Sequence, residues 1–176
     1  MVDRVNSVDF KPGPQTLSII NGLFTADYLG VLAKTNIEQA SYWDIHNDIT
    51  EQGGDYGYLS RTGAPDGDNA PRPSYWAFYM AGQVLRGSLV TAMSNNDKVS
   101  VYAASNGAKK SMLIINKYPR TSAVIAIGID GFSGSGTLNQ LTKDSGKKGP
   151  STQAVTVVKG QKFTLPPYSI TTIEIQ

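Results

Sequence analysis

The sequence contains no cysteine and only one histidine, His46, among its 176 residues. Without cysteine the chain has no disulfide framework and no thiolate chemistry. A single histidine excludes a metal site built from a histidine cluster, and we expect no metal and no cofactor. The sequence also lacks a Gly-x-Ser-x-Gly turn, a phosphate-binding loop and a dinucleotide fingerprint. Serine-hydrolase and nucleotide chemistry therefore have no support.

Charge and long apolar runs are also scarce. Charged residues make up 17% of the chain, and the formal net charge is +2. The two lysine pairs, Lys109-Lys110 and Lys147-Lys148, stand beside glycine and serine, as solvated loop residues do, so we expect no nucleic-acid partner. No apolar run is long enough to span a bilayer, which predicts no membrane partner. The first residues also lack the regions of a signal peptide, so the chain is intracellular or its signal has been removed.

The first half of the chain alternates between strand and helix patterns. Apolar residues recur at intervals of three and four between Pro14 and Lys34, which predicts one helix of about five turns. A short segment ending in Tyr42 and Trp43 predicts a buried strand, and a glycine- and aspartate-rich loop follows. Such a long loop is uncommon unless it lines a site. Ser74 is the predicted N-cap of a second helix that Gly87 closes. The predicted apolar face of the first helix consists of Leu17, Ile20, Leu23, Phe24, Tyr28, Val31 and Leu32.

The second half has the short, β-branched segments and turn residues of an antiparallel β-sandwich. Segments such as "KVSVYAAS", "KSMLIINK" and "SITTIEIQ" predict about six to eight strands from their spacing. We place the boundary near residues 86–88, which divides the chain into residues 1–87 and 88–176. The first part has too few strands and helices to form a complete layer of its own, because two strand-helix units cannot cover a parallel sheet on both faces.

A resemblance to a known group of enzymes explains this shortage. The order "DRVNSV", "PGPQTLSIINGLFTADYLGVLAKTNIEQ", "ASYWDIHN" and "RPSYWAFYMAGQVLRG", closing with "FTLPPYSITTIEI", resembles the C-terminal part of clan A retaining glycoside hydrolases. These include arabinofuranosidases, β-xylosidases and family 44 endoglucanases. The resemblance implies an α+β fold, with a partial (β/α) barrel segment of two strand-helix units followed by an antiparallel β-sandwich. It also implies a secreted, polysaccharide-degrading parent protein.

The resemblance fails at the catalytic residues. The position that corresponds to the family's nucleophilic carboxylate holds Arg4, and the strand with the acid/base carboxylate has no counterpart. Retaining hydrolysis needs two carboxyl groups about 5 Å apart. An arginine cannot attack the anomeric carbon, so we expect no catalytic residues and no enzyme activity in the chain as it stands.

Polar and aromatic residues around the second predicted strand are the candidate ligand-binding residues. The resemblance implies that Trp43 is a platform on which a sugar ring stacks, with polar neighbours that bind hydroxyl groups. Each candidate also has an ordinary structural interpretation. A tryptophan at a strand end often packs in the core, an aspartate after a strand often caps a turn, and a lone histidine is often a loop residue. The candidates are Tyr42, Trp43, Asp44, His46, Tyr56 and Tyr58.

Two hypotheses about function follow from these residues. In the first, the chain is a noncatalytic carbohydrate-binding fragment that holds a plant cell-wall polysaccharide or oligosaccharide. In the second, it is the structural C-terminal region of a retaining glycoside hydrolase whose catalytic barrel is missing from this chain. The incomplete barrel segment also predicts a homodimer, because unpaired strand edges and an apolar helix face need covering. The alternative is a monomer in which the helices fold back onto the sandwich.

Overall fold

The computed structural model describes residues 2–8, 10–128 and 130–176, without the side chains of residues 2–4 and 146. In the first half, the elements are β1 (Val2–Val5), a short 3-10 helix (Pro14–Leu17), α1 (Ile19–Ala33), β2 (Ala40–Tyr42), β3 (His46–Asn47), β4 (Leu59–Ser60) and α2 (Pro73–Val84). In the second half, they are β5 (Ser88–Val90), β6 (Val99–Asn106), β7 (Lys109–Asn116), β8 (Ala123–Ala126), β9 (Gly134–Thr142), a 3-10 turn (Gly146–Lys148), β10 (Ser151–Val157), β11 (Lys162–Leu165) and β12 (Ser169–Ile175).

Strands β5 to β12 form the predicted antiparallel β-sandwich. Six of them make one sheet in the order β10-β9-β12-β7-β6-β5, and β8 and β11 form a second, smaller sheet. Side chains alternate between the two faces of β7. Met112 and Ile114 point towards β8 and β11 and share one apolar core with Ala123 and Leu165. The prediction of an α+β fold that ends in a sandwich is confirmed.

The two helices cover the opposite face of the six-stranded sheet. Leu113 and Ile115, the alternate residues of β7, share a second core with Leu23 of α1 and Met80 of α2. The Tyr102 hydroxyl on β6 also donates a hydrogen bond of 2.7 Å to Asp27 Oδ1 on α1. The helices therefore pack on the sandwich, as one of the two predicted arrangements requires. The division of the chain at residue 87 stays a prediction.

The prediction of one continuous first helix is wrong, and its predicted apolar face is wrong in part, since Leu23 is buried but two other members are exposed. The 3-10 turn ends at Leu17, and Ser18 then caps α1 by accepting a hydrogen bond of 3.2 Å from the Ile20 amide. Ile20 and Val31 are 44% and 50% exposed. The buried face is instead rich in small residues, since a side chain at Gly22 or Gly30 would press on α2 or on the Tyr102 ring. Close packing, rather than bulk, selects the face that α1 buries.

The barrel-like part consists of two parallel pairs of short strands. β1 pairs with β2, and β3 pairs with β4. We expected strands near residues 5–8 and 39–45. β1 instead ends at Val5, and β2 covers only residues 40–42 and is partly exposed rather than buried. The predicted cap and end of the second helix are also wrong. Arg72 is the N-cap residue and Pro73 begins α2, so Ser74 lies inside the helix, and α2 ends at Val84 before Gly87. Proline suits a first helical position because it has no amide hydrogen to satisfy.

Candidate functional site

An open cleft of about 630 Å³ lies where β1 and β2 end. The two strands are parallel, so their carboxyl ends meet at the same edge, and the Trp43 amide continues the pairing with a 3.1 Å hydrogen bond to the Val5 carbonyl. The segments that follow both strands contribute to the cleft, and so does the long loop between β3 and β4. We call it the aromatic cleft. Its lining residues are Val5, Asn6, Ser7, Val8, Phe10, Trp43 and Tyr56.

Asn6 joins the three segments of the aromatic cleft. Its side-chain amide donates hydrogen bonds to the backbone carbonyls of Trp43 and Tyr56, the latter at 3.3 Å. Its carbonyl oxygen accepts a hydrogen bond of 2.7 Å from the Ser7 amide. One side chain thus fixes the backbone on both sides of the cleft. Sequence reasoning noted Asn6 only as part of a motif and gave it no role, because the contacts span 37 and 50 residues along the chain.

The described lining of the aromatic cleft offers ring faces and the Ser7 hydroxyl group to a ligand, because both donors of the Asn6 side-chain amide are already used. Trp43 is 47% exposed, Phe10 is 87% exposed and Tyr56 is partly buried. The peptide bond between Trp43 and Asp44 is cis. The described lining residues include no aspartate or glutamate. The arrangement can stack a ring and bind hydroxyl groups, but the described part of the lining supplies no acid, base or nucleophilic carboxylate.

Tyr42 and Tyr58 lie outside the aromatic cleft and stack on each other. Their ring centroids are 3.9 Å apart, with an angle of 10° between the planes. The Tyr42 hydroxyl accepts a hydrogen bond of 3.2 Å from Asn21 on α1, and Tyr58 also contacts Phe78 on α2. Burial raises the pKa of both hydroxyl groups. These two candidate residues pack the strand pair against the helices, on the side away from the cleft lining.

Asp44 lies beside Trp43 but is partly buried. Its Oδ2 atom accepts a long hydrogen bond of 3.4 Å from Asn47, and its Oδ1 atom is buried without a partner. Burial, and the negative charge of Asp55, raise the pKa of Asp44. Its side chain is absent from the cleft lining.

His46 faces a second cleft. Its Nε2 atom donates a hydrogen bond of 2.7 Å to Asn69 Oδ1, and the two residues line an open space of about 350 Å³. The structure therefore brings Trp43 and Tyr56 together, and separates His46, Tyr42 and Tyr58 from them. The backbone of Arg4 lies in β1, and its side chain is outside the described part of the chain.

A buried ion pair holds the loop that carries Tyr56, and sequence reasoning missed it. Arg72 Nη1 lies 2.6 Å from Asp55 Oδ2, and the two side chains are 2% and 0% exposed. Asp55 Oδ1 accepts a 2.6 Å hydrogen bond from the Gly57 amide, and Arg72 donates one of 3.2 Å to the Gly57 carbonyl. Both neighbours of Tyr56 are thus fixed. The only signal in the sequence is an arginine between two prolines at the start of α2.

The described residues contain neither a cluster of possible metal ligands nor a helix that could cross a membrane. Their histidine and carboxylate side chains form no group of three or more that would suit a metal ion. In the same part of the chain, no helix has both the length and the hydropathy that a membrane span requires.

Similarity to solved structures is strong in fold and weak in sequence. A bifunctional glucanase-xylanase, CelM2, from a metagenome library has a TM-score of 0.67 and 23% identity over 90% of this chain. The α-L-arabinofuranosidase of Thermotoga maritima has a TM-score of 0.70 and 16% identity over 98% of the chain. The family 30 endoxylanase of Clostridium papyrosolvens has a TM-score of 0.67 and 16% identity over all of it. This chain has part of a glycoside hydrolase fold.

The chain spans only 28%, 42% and 41% of the lengths of these three proteins. The neighbours are clan A glycoside hydrolases, so the resemblance seen in the sequence is confirmed at the level of the fold. No protein-family model and no curated protein matches the sequence.

Proposed function

We propose that this chain is a noncatalytic carbohydrate-binding fragment, and that the aromatic cleft holds a plant cell-wall polysaccharide. The observation that carries the proposal is Trp43. Its side chain is 47% exposed at a strand end, although an indole normally buries most of its surface. The exposed indole suits the flat apolar face of a sugar ring, and the Ser7 hydroxyl group in the same lining suits its hydroxyl groups.

The structural neighbours support the choice of ligand class. They include a glucanase-xylanase, an arabinofuranosidase and an endoxylanase, all named for action on polysaccharides or their side chains. We therefore propose β-glucan, xyloglucan, xylan and arabinan as the polymers to test. A parent protein that acts on such polymers works outside the cell.

The proposal also states that the isolated chain does not hydrolyse these polymers. Retaining hydrolysis uses two carboxyl groups about 5 Å apart, and the described lining of the aromatic cleft includes none. We expect no release of reducing sugar above background from the purified chain. Restoring the family's residue by Arg4→Glu should not create activity, because one carboxylate still lacks a proton donor. Activity that persists through repeated purification would contradict this part.

Affinity electrophoresis and calorimetric titration test the binding proposal. Trp43→Ala should weaken binding by about 1 to 2 kcal/mol, the contribution of one aromatic platform and its buried area. Tyr79→Ala is the matched control, since Tyr79 is an aromatic residue on α2 with 49% exposure and no part in the cleft lining. Equal affinity of the wild-type chain and Trp43→Ala would contradict the proposal.

The structural role is the second candidate function. The helices α1 and α2 share a core with the sandwich, and the chain spans less than half of each neighbour. Both features suit a region that supports a barrel in a larger protein. If no polymer slows the migration of the chain in affinity electrophoresis, the structural role is the better account.

A further inference from the structure

The cleft that contains His46 is a second site outside the aromatic cleft. We call it the polar cleft. Every residue that lines it carries a polar side chain, and three separate chain segments contribute. The lining residues are His46, Asn47, Asp48, Arg61, Thr62 and Asn69. An adjoining hollow of about 240 Å³ shares Asn47, Asp48, Arg61 and Thr62 with it, so the space continues along the loop.

Backbone hydrogen bonds hold the three segments in place. The pairing of β3 with β4 sets His46 opposite Leu59 and Asn47 opposite Ser60. The Asn69 amide donates a 3.1 Å hydrogen bond to the Ser60 carbonyl. Asn69 has a φ angle of 51°, a left-handed conformation that asparagine adopts more readily than most residues. The backbone that carries the polar groups is therefore held in place before any ligand binds, which lowers the entropy cost of binding.

The contacts within the polar cleft leave both donors and acceptors for a ligand. Arg61 and Asp48 form an ion pair although both are exposed, at 58% and 70%. Because His46 Nε2 donates to Asn69, the Nδ1 atom of the neutral ring is an acceptor. The Arg61 guanidinium group adds donors, the Asp48 carboxylate adds acceptors, and the side-chain amides of Asn47 and Asn69 add N–H donors. These groups can form hydrogen bonds with the hydroxyl groups of a sugar.

The charge and polarity of the cleft indicate a neutral, hydroxyl-rich ligand. The charges of Arg61 and Asp48 cancel, which argues against phosphate or an acidic polymer. The six lining residues include no phenylalanine, tyrosine, tryptophan or aliphatic residue, so hydrogen bonding, rather than stacking on a large ring, would hold a ligand there. His46 follows Trp43 by three positions in the chain, and their Cα atoms lie within about 11 Å because three steps of the backbone span no more. One extended oligosaccharide can contact both clefts.

We propose that the polar cleft binds further sugar units of the polysaccharide chain that Trp43 holds. This inference rests on the proposed function, because it assigns the second contact to the same ligand. Sugars short enough to occupy the aromatic cleft alone should bind with an affinity that does not depend on the polar cleft. Longer ones should gain affinity from it.

The experiment compares oligosaccharides of two to eight units from β-1,4-glucan and from xylan by calorimetric titration. The variants are Arg61→Ala and His46→Ala/Arg61→Ala. We expect the double variant to bind six-unit and longer sugars about tenfold more weakly, since it loses two hydrogen-bonding side chains. Its affinity for two-unit and three-unit sugars should be unchanged. Lys159→Ala is the control, because it removes an equally exposed ion pair on the sandwich.

The outcomes separate this inference from the proposed function. If the wild-type chain binds sugars and the double variant binds every length equally well, the polar cleft is not a sugar site and the inference is overturned. If the wild-type chain binds none of the sugars, the proposed function fails and the inference fails with it. Matching melting temperatures of the wild-type chain and both variants would show that the change is in binding and not in folding.

Discussion

Replacing Asp55 by alanine would leave the Arg72 guanidinium buried without its main counter-charge. Arg72 is 2% exposed, and Asp55 Oδ2 is 2.6 Å away. The remaining acidic neighbour, Asp66, is more distant, with its Oδ2 atom 3.4 Å from Arg72 Nε, and it is 31% exposed. The variant also loses the hydrogen bond from the Gly57 amide. The loop that carries Tyr56 would therefore lose its main anchor.

The expected loss is large because the charge that remains is desolvated. Breaking a buried ion pair by removing one partner costs about 3 to 5 kcal/mol. Asp66 still offers partial compensation, so we expect the lower end, about 3 kcal/mol. For a chain of this length, each kcal/mol shifts the melting temperature by about 2 to 4 °C. The melting temperature of Asp55→Ala should therefore fall by about 6 to 12 °C.

Thermal and denaturant unfolding measure this change, with Asp130→Ala as the matched control. Asp130 forms an ion pair with Lys159, and the two side chains are 86% and 66% exposed. Exposed pairs contribute at most about 1 kcal/mol, so the control should melt close to the wild-type chain. If Asp55→Ala unfolds within about 2 °C of the control, the buried pair does not hold the loop and this reasoning is wrong.

Three further predictions concern Asp44, Asp27 and self-association. The pKa of Asp44 is raised, so the folded state loses stability as the pH rises from 3.8 through the raised pKa and the carboxyl group becomes charged. Asp44→Asn should therefore melt at a higher temperature than the wild-type chain at pH 7, but not below pH 3.8. An equal or lower melting temperature at pH 7 would contradict this. Burial acts to raise the pKa of Asp27, but hydrogen bonds from Tyr102 and Ser100 and the charge of Lys117 outweigh it and lower that pKa. Asp27→Asn should therefore melt at a lower temperature than the wild-type chain at pH 7, and this difference in melting temperature should disappear as the pH falls below 3.8 through the lowered pKa of Asp27. A difference in melting temperature that persists at low pH would contradict this prediction. Self-association stays a prediction. It is based on the outer edges of β1 and β2, because these strands pair only with each other among the described residues. A constant mass near 18.9 kDa in light scattering, from micromolar concentration upward, would refute it.

Much of the fold was readable from the sequence because its signals are local. The continuous apolar run of β7 and the β-branched residues of β12 predict strands, and the structure pairs the two at the centre of the six-stranded sheet. The face that α1 buries was not readable, because it depends on close approach to distant residues. Gly22 lies against α2, and Gly30 lies against the Tyr102 ring. A pattern search that counts bulky apolar residues passes over such positions.

The candidate site shows the same limit. Adjacent residues in an extended segment point to opposite sides, so Tyr42 packs against the helices while Trp43 lines the aromatic cleft. The sequence predicted both as ligand contacts because they are neighbours. The Asn6 and Asp55 contacts join parts of the chain that are far apart in sequence, such as Asn6 with Tyr56 and Asp55 with Arg72. A single sequence read alone offers no signal for pairs of this kind.

Tryptophan fluorescence tests the central claim, sugar binding at Trp43, most directly. The chain has two tryptophans, so Trp76→Phe leaves Trp43 as the only indole. Trp76 packs against the core shared by the helices and the sheet, so the melting curve of this variant is recorded first. On titration with xyloglucan, β-glucan, xylan or arabinan oligosaccharides, we predict a saturable shift in emission and protection of Trp43 from acrylamide. Unchanged emission and unchanged quenching with all four sugars would contradict the claim that the aromatic cleft binds polysaccharide.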